Sequence, residues 1–164
     1  MDESIKGCIP GLISQEQLLV GEDSPDIRTY SPLTLAFIGD AVFSLYIRTI
    51  VVGQGNMAPG RLHERCSELV KASAQSHMIH GIFDALTDEE KSVYRRGRNV
   101  QAGSRAKNAT MSEYRHATGL EALFGHLYLT GQGERMTELV EKCLAYHEAE
   151  KEADVPSDTK ASAP

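Results

Sequence analysis

Residues 33–48 read LTLAFIGDAVFSLYIR. Their apolar positions suit a helix, and Ser31-Pro32 supplies its start, with Ser as N-cap and Pro at the first helical position. The helix is expected to run to about Val52, where Gly53 and Gly55 stop it. Asp40 stands after Gly39 in the middle of this apolar run. A carboxylate buried or held at an interface needs a positive partner, hydrogen bonds or a metal. Mid-helix it cannot cap, and Arg48 is two turns away, too far for an intrahelical bridge. Helical spacing puts Asp40 on one face with Ala36, Phe37, Ala41 and Ser44. From this segment alone, a structural hydrogen bond and a metal are both open.

Outward from this stretch the pattern is helical throughout, with no convincing alternating strand. A short helix is expected at 14–20, ended by Gly21. A long one should run from Pro59 to Phe83, with Leu62, Cys66, Leu69, Val70, Ser73, His77 and His80 along one side. The next begins at Thr87, whose TDEE has capping-box spacing to Glu90, and fades near Gly97. Residues 97–110, GRNVQAGSRAKNAT, have no periodicity and read as an exposed loop. A fifth helix spans roughly 112–130 with Gly131 as its stop, and a sixth runs from about Glu134 to the low 150s. With the long 31–52 helix this makes an all-α chain of about six helices. The expected division is an N-terminal segment over 1–30, one domain over 31–150, and a disordered polar tail over 151–164.

The 164 residues suit a single domain, and 41% hydrophobic content suits a sizeable core. Gly39, Asp40, Ser44 and Arg48 interrupt the longest apolar stretch, so no uninterrupted run reaches the roughly 18 residues of a membrane span. The acidic N-terminus has neither a signal-peptide nor a transit-peptide composition, so a cytoplasmic location is expected. Cys8, Cys66 and Cys143 match no zinc spacing and read as reduced, small apolar side chains. The net charge of −6 conceals an uneven distribution. Residues 91–116 carry seven Lys or Arg against the single Glu113, whereas residues 1–30 carry six acids against two bases.

A second isolated carboxylate, Glu121, lies in ATGLEALFGHLYL (117–129), bordered by Leu120, Ala122 and Leu123. Thr118 and Gly125, one turn to either side, are small enough to let another helix or a substrate come close. Two lone carboxylates on two apolar helices could meet across a helix–helix contact. They would then form an oxygen-only site suited to Mg²⁺, which takes one or two carboxylates and keeps several waters.

LAFIGDAVFSLYIR resembles the signature helix of the ribonuclease III family, in which an acid follows a hydrophobic-hydrophobic-Gly triplet. GLEALFGHLYL resembles that family's second acidic helix. With LVKASAQSHMIH, EEKSVYRRGRN and YRHATGLEALFGHLYL in order, the resemblance narrows to the Mini-III (Mini-ribonuclease III) subfamily, a catalytic domain alone, and covers roughly residues 31–145. The resemblance implies an all-α endonuclease domain, dimeric through the signature helix, with two sites facing a valley that holds double-stranded RNA. It implies Mg²⁺-dependent hydrolysis leaving a short 3′ overhang and 5′-phosphate ends. The implied substrate is precursor 23S ribosomal RNA, with a ribosomal protein as a further partner on that RNA. It assigns Asp40 as the catalytic aspartate and Glu121 as the metal ligand opposite, the two together holding the ion.

The chain departs from full-length ribonuclease III at Leu33, Ala36 and Thr118, where that family has further carboxylates. This thinning, which Mini-III shares, implies weak metal binding in the absence of RNA. It also motivates an alternative, a non-catalytic duplex-RNA-binding or ribosome-assembly module that keeps the fold. The chain ends too soon for a separate duplex-binding domain, so RNA grip is expected from the basic segment, through Arg95, Arg96, Arg98, Lys107 and Arg115. Weaker candidates are His63, Glu64 and Glu68 beside the signature helix. His77 and His80 read as core or surface residues, and Tyr46 and Arg48 as interface or surface groups.

Overall fold

The computed structural model describes residues 26–100 and 110–153. The short helix expected at 14–20, Cys8, Lys107 and the tail from 154 onward lie outside the described residues. The described helices are α1 (Pro32–Gly53), α2 (Pro59–Val70), α3 (Ala72–Ile82), α4 (Asp88–Asn99), α5 (Met111–Leu129) and α6 (Gly133–Ala153). Short 3₁₀ turns cover Ile27–Thr29 and Phe83–Ala85, and no strand occurs among the described residues.

α5 is the central element. Every residue from Ala117 to Leu127 is buried except Glu121, the all-round burial expected of a helix covered on several sides. α1, α3, α4 and α6 pack around it. Phe124 of α5 anchors the core, meeting Phe43 edge-to-face at 5.2 Å between ring centres and Tyr46 at 6.4 Å. Tyr46 is therefore a core residue and not the interface or surface group expected; its hydroxyl donates to the Gly133 carbonyl at 3.3 Å. Cys66 and Cys143 are buried free thiols, and burial pushes the Cys143 thiol up to about 12.

Two expectations drawn from local sequence need correction. The helix expected over 59–83 is two helices that break at Lys71, whose backbone is extended (φ −64°, ψ 150°). Lys71 ends α2 with its amide on Ser67 and starts α3 with its carbonyl accepting from Gln75. The break lets α2 lie on α1 while α3 turns onto α5 and α6. The α4 helix does not fade at Gly97 but continues to Asn99. A Cβ on Gly97 would lie 2.7 Å from that of Ala122 and 3.0 Å from the Gly119 Cα, so this glycine is a packing contact and not a stop.

The other end signals act as read. Ser31 Oγ accepts from the Thr34 amide at 3.1 Å. The Thr87–Glu90 capping box forms in both directions, and Gly131 follows α5 with φ +71°.

Candidate active site

α1 and α5 touch backbone to backbone. A Cβ on Gly39 would lie 1.7 Å from the Glu121 carbonyl oxygen, and one on Gly125 would lie 1.9 Å from the Leu35 carbonyl oxygen. Glycine is required at both positions because any side chain would separate the helices. The same crossing sets the register that brings Asp40, next to Gly39, into electrostatic contact with Glu121. Thus the Asp40 charge reaches Glu121 across the α1–α5 contact, and Gly125 is one of the residues that permits the close crossing.

Their environments differ. Asp40 is exposed, on the side of α1 turned away from the core. Of the two settings expected, burial or an interface, a single chain does not bury Asp40, since only one face of α1 is covered. Glu121 is half-buried, and its carboxyl is pushed up to about 8, first by desolvation and then by the Asp40 charge. The neighbouring Gln75 amide acts in the opposite direction. Neither acid is in an ion pair among the described residues. A pair of hard oxygen donors short of positive charge fits a hard divalent cation such as Mg²⁺. No cluster of three or more His, Cys, Asp or Glu with metal-binding geometry occurs among the described residues. Thr118 adds nothing to the donor set, because its hydroxyl donates to the Tyr114 carbonyl of its own helix at 3.0 Å.

Of the basic candidates, Arg95, Arg96 and Arg115 are exposed and Arg98 is half-buried. None of the four is in an ion pair among the described residues. Arg95 lies over the Phe83 ring at 5.6 Å, as Lys91 does at 5.4 Å, and Arg98 lies over Tyr94 at 5.8 Å. Lys91, Arg95 and Arg98 thus form an i, i+4, i+7 stripe on aromatic supports, and Arg96 projects from another side. The Tyr94 hydroxyl is hydrogen-bonded to His116 Nδ1, tying the stripe to α5. Glu68 is engaged by Lys71 at 2.5 Å. His63 and Glu64 are exposed on α2. His77 meets Glu150 at 3.3 Å, and the His80 and His116 rings lie 4.3 Å apart.

Sequence reading missed one residue at the carboxylates, Gln75. It lies in the quoted LVKASAQSHMIH, but a lone Gln in a helix carries no signal of its own.

The chain matches the Ribonuclease III domain family model over residues 33–132. It is 45% identical to a Mini-ribonuclease 3 of Thermoanaerobacter sp. (strain X514) over 131 residues, 80% of this chain and 90% of that protein. A Mini-ribonuclease 3 of Brevibacillus brevis is 43% identical over 125 residues, 76% of this chain and 93% of that one. A crystal structure of a Fusobacterium nucleatum protein superposes with a TM-score of 0.67 at 34% identity, covering 74% of this chain and 98% of that one. With α1 and α5 and both carboxylates inside the matched region, the chain belongs to the ribonuclease III family, in its Mini-ribonuclease 3 branch, and is an endoribonuclease.

Proposed function

We propose that the chain cuts double-stranded RNA as a Mg²⁺-dependent homodimer, with Asp40 and Glu121 as its catalytic residues and metal ligands. The observation carrying this reading is the carboxylate pair itself, set by a backbone-to-backbone helix crossing so that the Asp40 charge acts on Glu121, with neither acid in an ion pair among the described residues. A bound Mg²⁺ would supply Lewis-acid stabilisation of charge on the scissile phosphate and a more acidic attacking water. Asp40 offers its carboxylate from the solvent side of α1, and Glu121 offers its own from the core side. In this reading neither is a nucleophile, and no Ser, Cys or Thr beside them is hydrogen-bonded to a base among the described residues; Thr118 donates to the Tyr114 carbonyl. Water therefore attacks phosphorus in line, the bond to the 3′ oxygen breaks, and a 5′-phosphate end remains.

Arg95, Arg96, Arg98 and Arg115, with Lys107, grip the duplex through its phosphates. Such contacts position the RNA without reading bases. The homodimer reading rests on the open face of α1, where Phe37 is 83% exposed and Val52 61%, with Leu33 and Leu45 on the same side. Exposed large apolar side chains along one helix face suit a protein interface. The substrate we assign is precursor 23S ribosomal RNA in the cytoplasm, with a ribosomal protein as a further partner on that RNA.

Asp40→Asn is the direct test. It should abolish cleavage of a perfect RNA duplex in Mg²⁺ while leaving the melting temperature and oligomeric state unchanged. Cutting by this variant at the parent rate would refute the assignment. A parent protein that binds duplex RNA without cutting it at any Mg²⁺ concentration would instead mark a non-catalytic module.

A further inference from the structure

Gln75 of α3 is 1% exposed, and neither its amide oxygen nor its amide nitrogen has a hydrogen-bond partner. Buried polar groups in folded proteins are nearly always satisfied, and each exception needs a reason. The cost is avoidable here, because Met or Leu would fill the same space with no polar atom to desolvate. The other side chain of this kind among the described residues is His147, whose charged neighbours are His77, Lys71, Lys151 and Glu148. Gln75 instead lies beside Glu121, across the contact of α3 with α5. The amide is near enough to act on the Glu121 carboxyl but falls outside hydrogen-bond distance or angle in this geometry, so a small adjustment would bring a donor onto an acceptor.

Little else fixes Glu121. Asp40 repels it, the Thr118 hydroxyl is turned to Tyr114, and the residues one and two turns before Asp40 are Ala36 and Leu33. We propose that Gln75 is a positioning residue: its Nε2–H donates to one oxygen of the ionised Glu121, fixing the carboxylate's orientation for the cation that it and Asp40 would hold. In a site with so few carboxylates, this neutral donor fixes orientation without adding a third negative charge. The inference rests on the reading of Asp40 and Glu121 as metal ligands.

The test measures cation binding and stability on the full chain. Gln75→Met keeps the volume and removes the amide, and the probe is Mn²⁺ alone, its half-saturation read from the metal-induced rise in melting temperature. The variant should raise the half-saturating Mn²⁺ concentration about tenfold, the scale on which partners of metal ligands act. Its melting temperature without metal should be no lower than the parent's, because the change removes an unsatisfied buried amide. Met78→Leu on the same helix is the packing control and should leave the Mn²⁺ midpoint unmoved. A Gln75→Met protein that melts lower yet binds Mn²⁺ like the parent would show a packing role and overturn the proposal. If Glu121→Gln abolishes the Mn²⁺ response and Gln75→Met does not weaken it, the positioning role alone fails. If the parent shows no response that depends on Asp40 or Glu121, the metal-site reading fails and this inference with it.

Discussion

Under the proposed reading Gly39 and Asp40 work together, because one sets the distance at which the other would act. The Gly39 Cα lies where a single added carbon would fall 1.7 Å from the Glu121 carbonyl oxygen. That clash is with backbone, which has no rotamer to give way. Gly39→Ala should therefore cost about 2–3 kcal/mol of stability, at the upper part of the overpacking range, and should lower cleavage further by moving the carboxylates apart. Thermal denaturation and single-turnover cleavage check the two effects separately. A variant that melts and cuts like the parent would show that the crossing has slack. At this scale the sequence singles out the two carboxylates and is silent about their exposure. A carboxylate inside an apolar helix is conspicuous in a string of letters, and so is a second one with small residues a turn away. Which side of α1 is covered depends on where α5 and α2 lie, so LTLAFIGDAV alone could not reveal that Asp40 faces outward. Gln75 was illegible for a related reason: its significance lies in its neighbour on another helix, 46 positions along the chain.

The elements follow their end signals where those signals are chemical, as at Ser31-Pro32, Thr87 with Glu90, and Gly131. They depart where tertiary packing decides. Nothing in SELVKASAQ marks a break at Lys71, because the apolar line continues across it; the break exists because α2 and α3 serve different neighbours. Gly97 reads as punctuation but fills a contact with Gly119 and Ala122 that excludes a side chain. Glu90 shows one residue serving both levels. Its carboxylate accepts from the Thr87 amide at 2.8 Å, closing the cap of α4. It also receives Arg135 Nε at 2.8 Å and Nη2 at 2.9 Å, clamping α6 onto α4. The Arg135 hydrogen bonds, ahead of the opposing desolvation, hold the Glu90 carboxyl below its ordinary 4.5. A carboxyl depressed in the folded state contributes its full stabilisation above the unfolded value. That contribution is lost as pH falls below 4.5 toward the folded value. Glu90→Gln should cost about 2–3 kcal/mol near neutral pH. This is less than the loss of a fully buried pair, since Arg135 keeps Glu138 and the Ala85 carbonyl and is 21% exposed. It should also flatten the fall in melting temperature on acidification below pH 4.5; an unchanged acid limb would show that the clamp does not titrate as described.

The molecule as a whole separates two surfaces, and each has its own measurable consequence. One is the cationic stripe on α4, set on Phe83 and Tyr94. If it meets phosphates, Arg95→Ala with Arg98→Ala should weaken duplex binding for all sequences alike. The pair of substitutions should also lower the steepness of log K against log salt by about 1.8, near 0.9 per lost phosphate contact. Binding measured across a salt series would reveal bystander arginines by an unaltered slope. The other surface is the open face of α1. By length and a mean hydropathy of 1.8 this helix could cross a membrane, yet its buried face, from Leu35 to Val51, forms part of the protein core, and Asp40 and Arg48 stand on the open one. What remains uncovered is a stripe through Leu33, Phe37, Leu45 and Val52, best matched by a second copy of the same helix. Phe37 separates fold from assembly because it is 83% exposed and contributes little to the core of a single chain. Phe37→Glu should therefore leave the helical signal and the cooperative melt of the isolated chain intact while placing like charges at the centre of the paired faces. On the proposed homodimer reading, sedimentation should show the parent as a dimer and this variant as a monomer, and coordinated cutting of both strands should be lost. If the variant remains a dimer, the copies meet through another face; if it is a monomer that still cuts both strands together, each chain is complete on its own and the stripe serves some other partner.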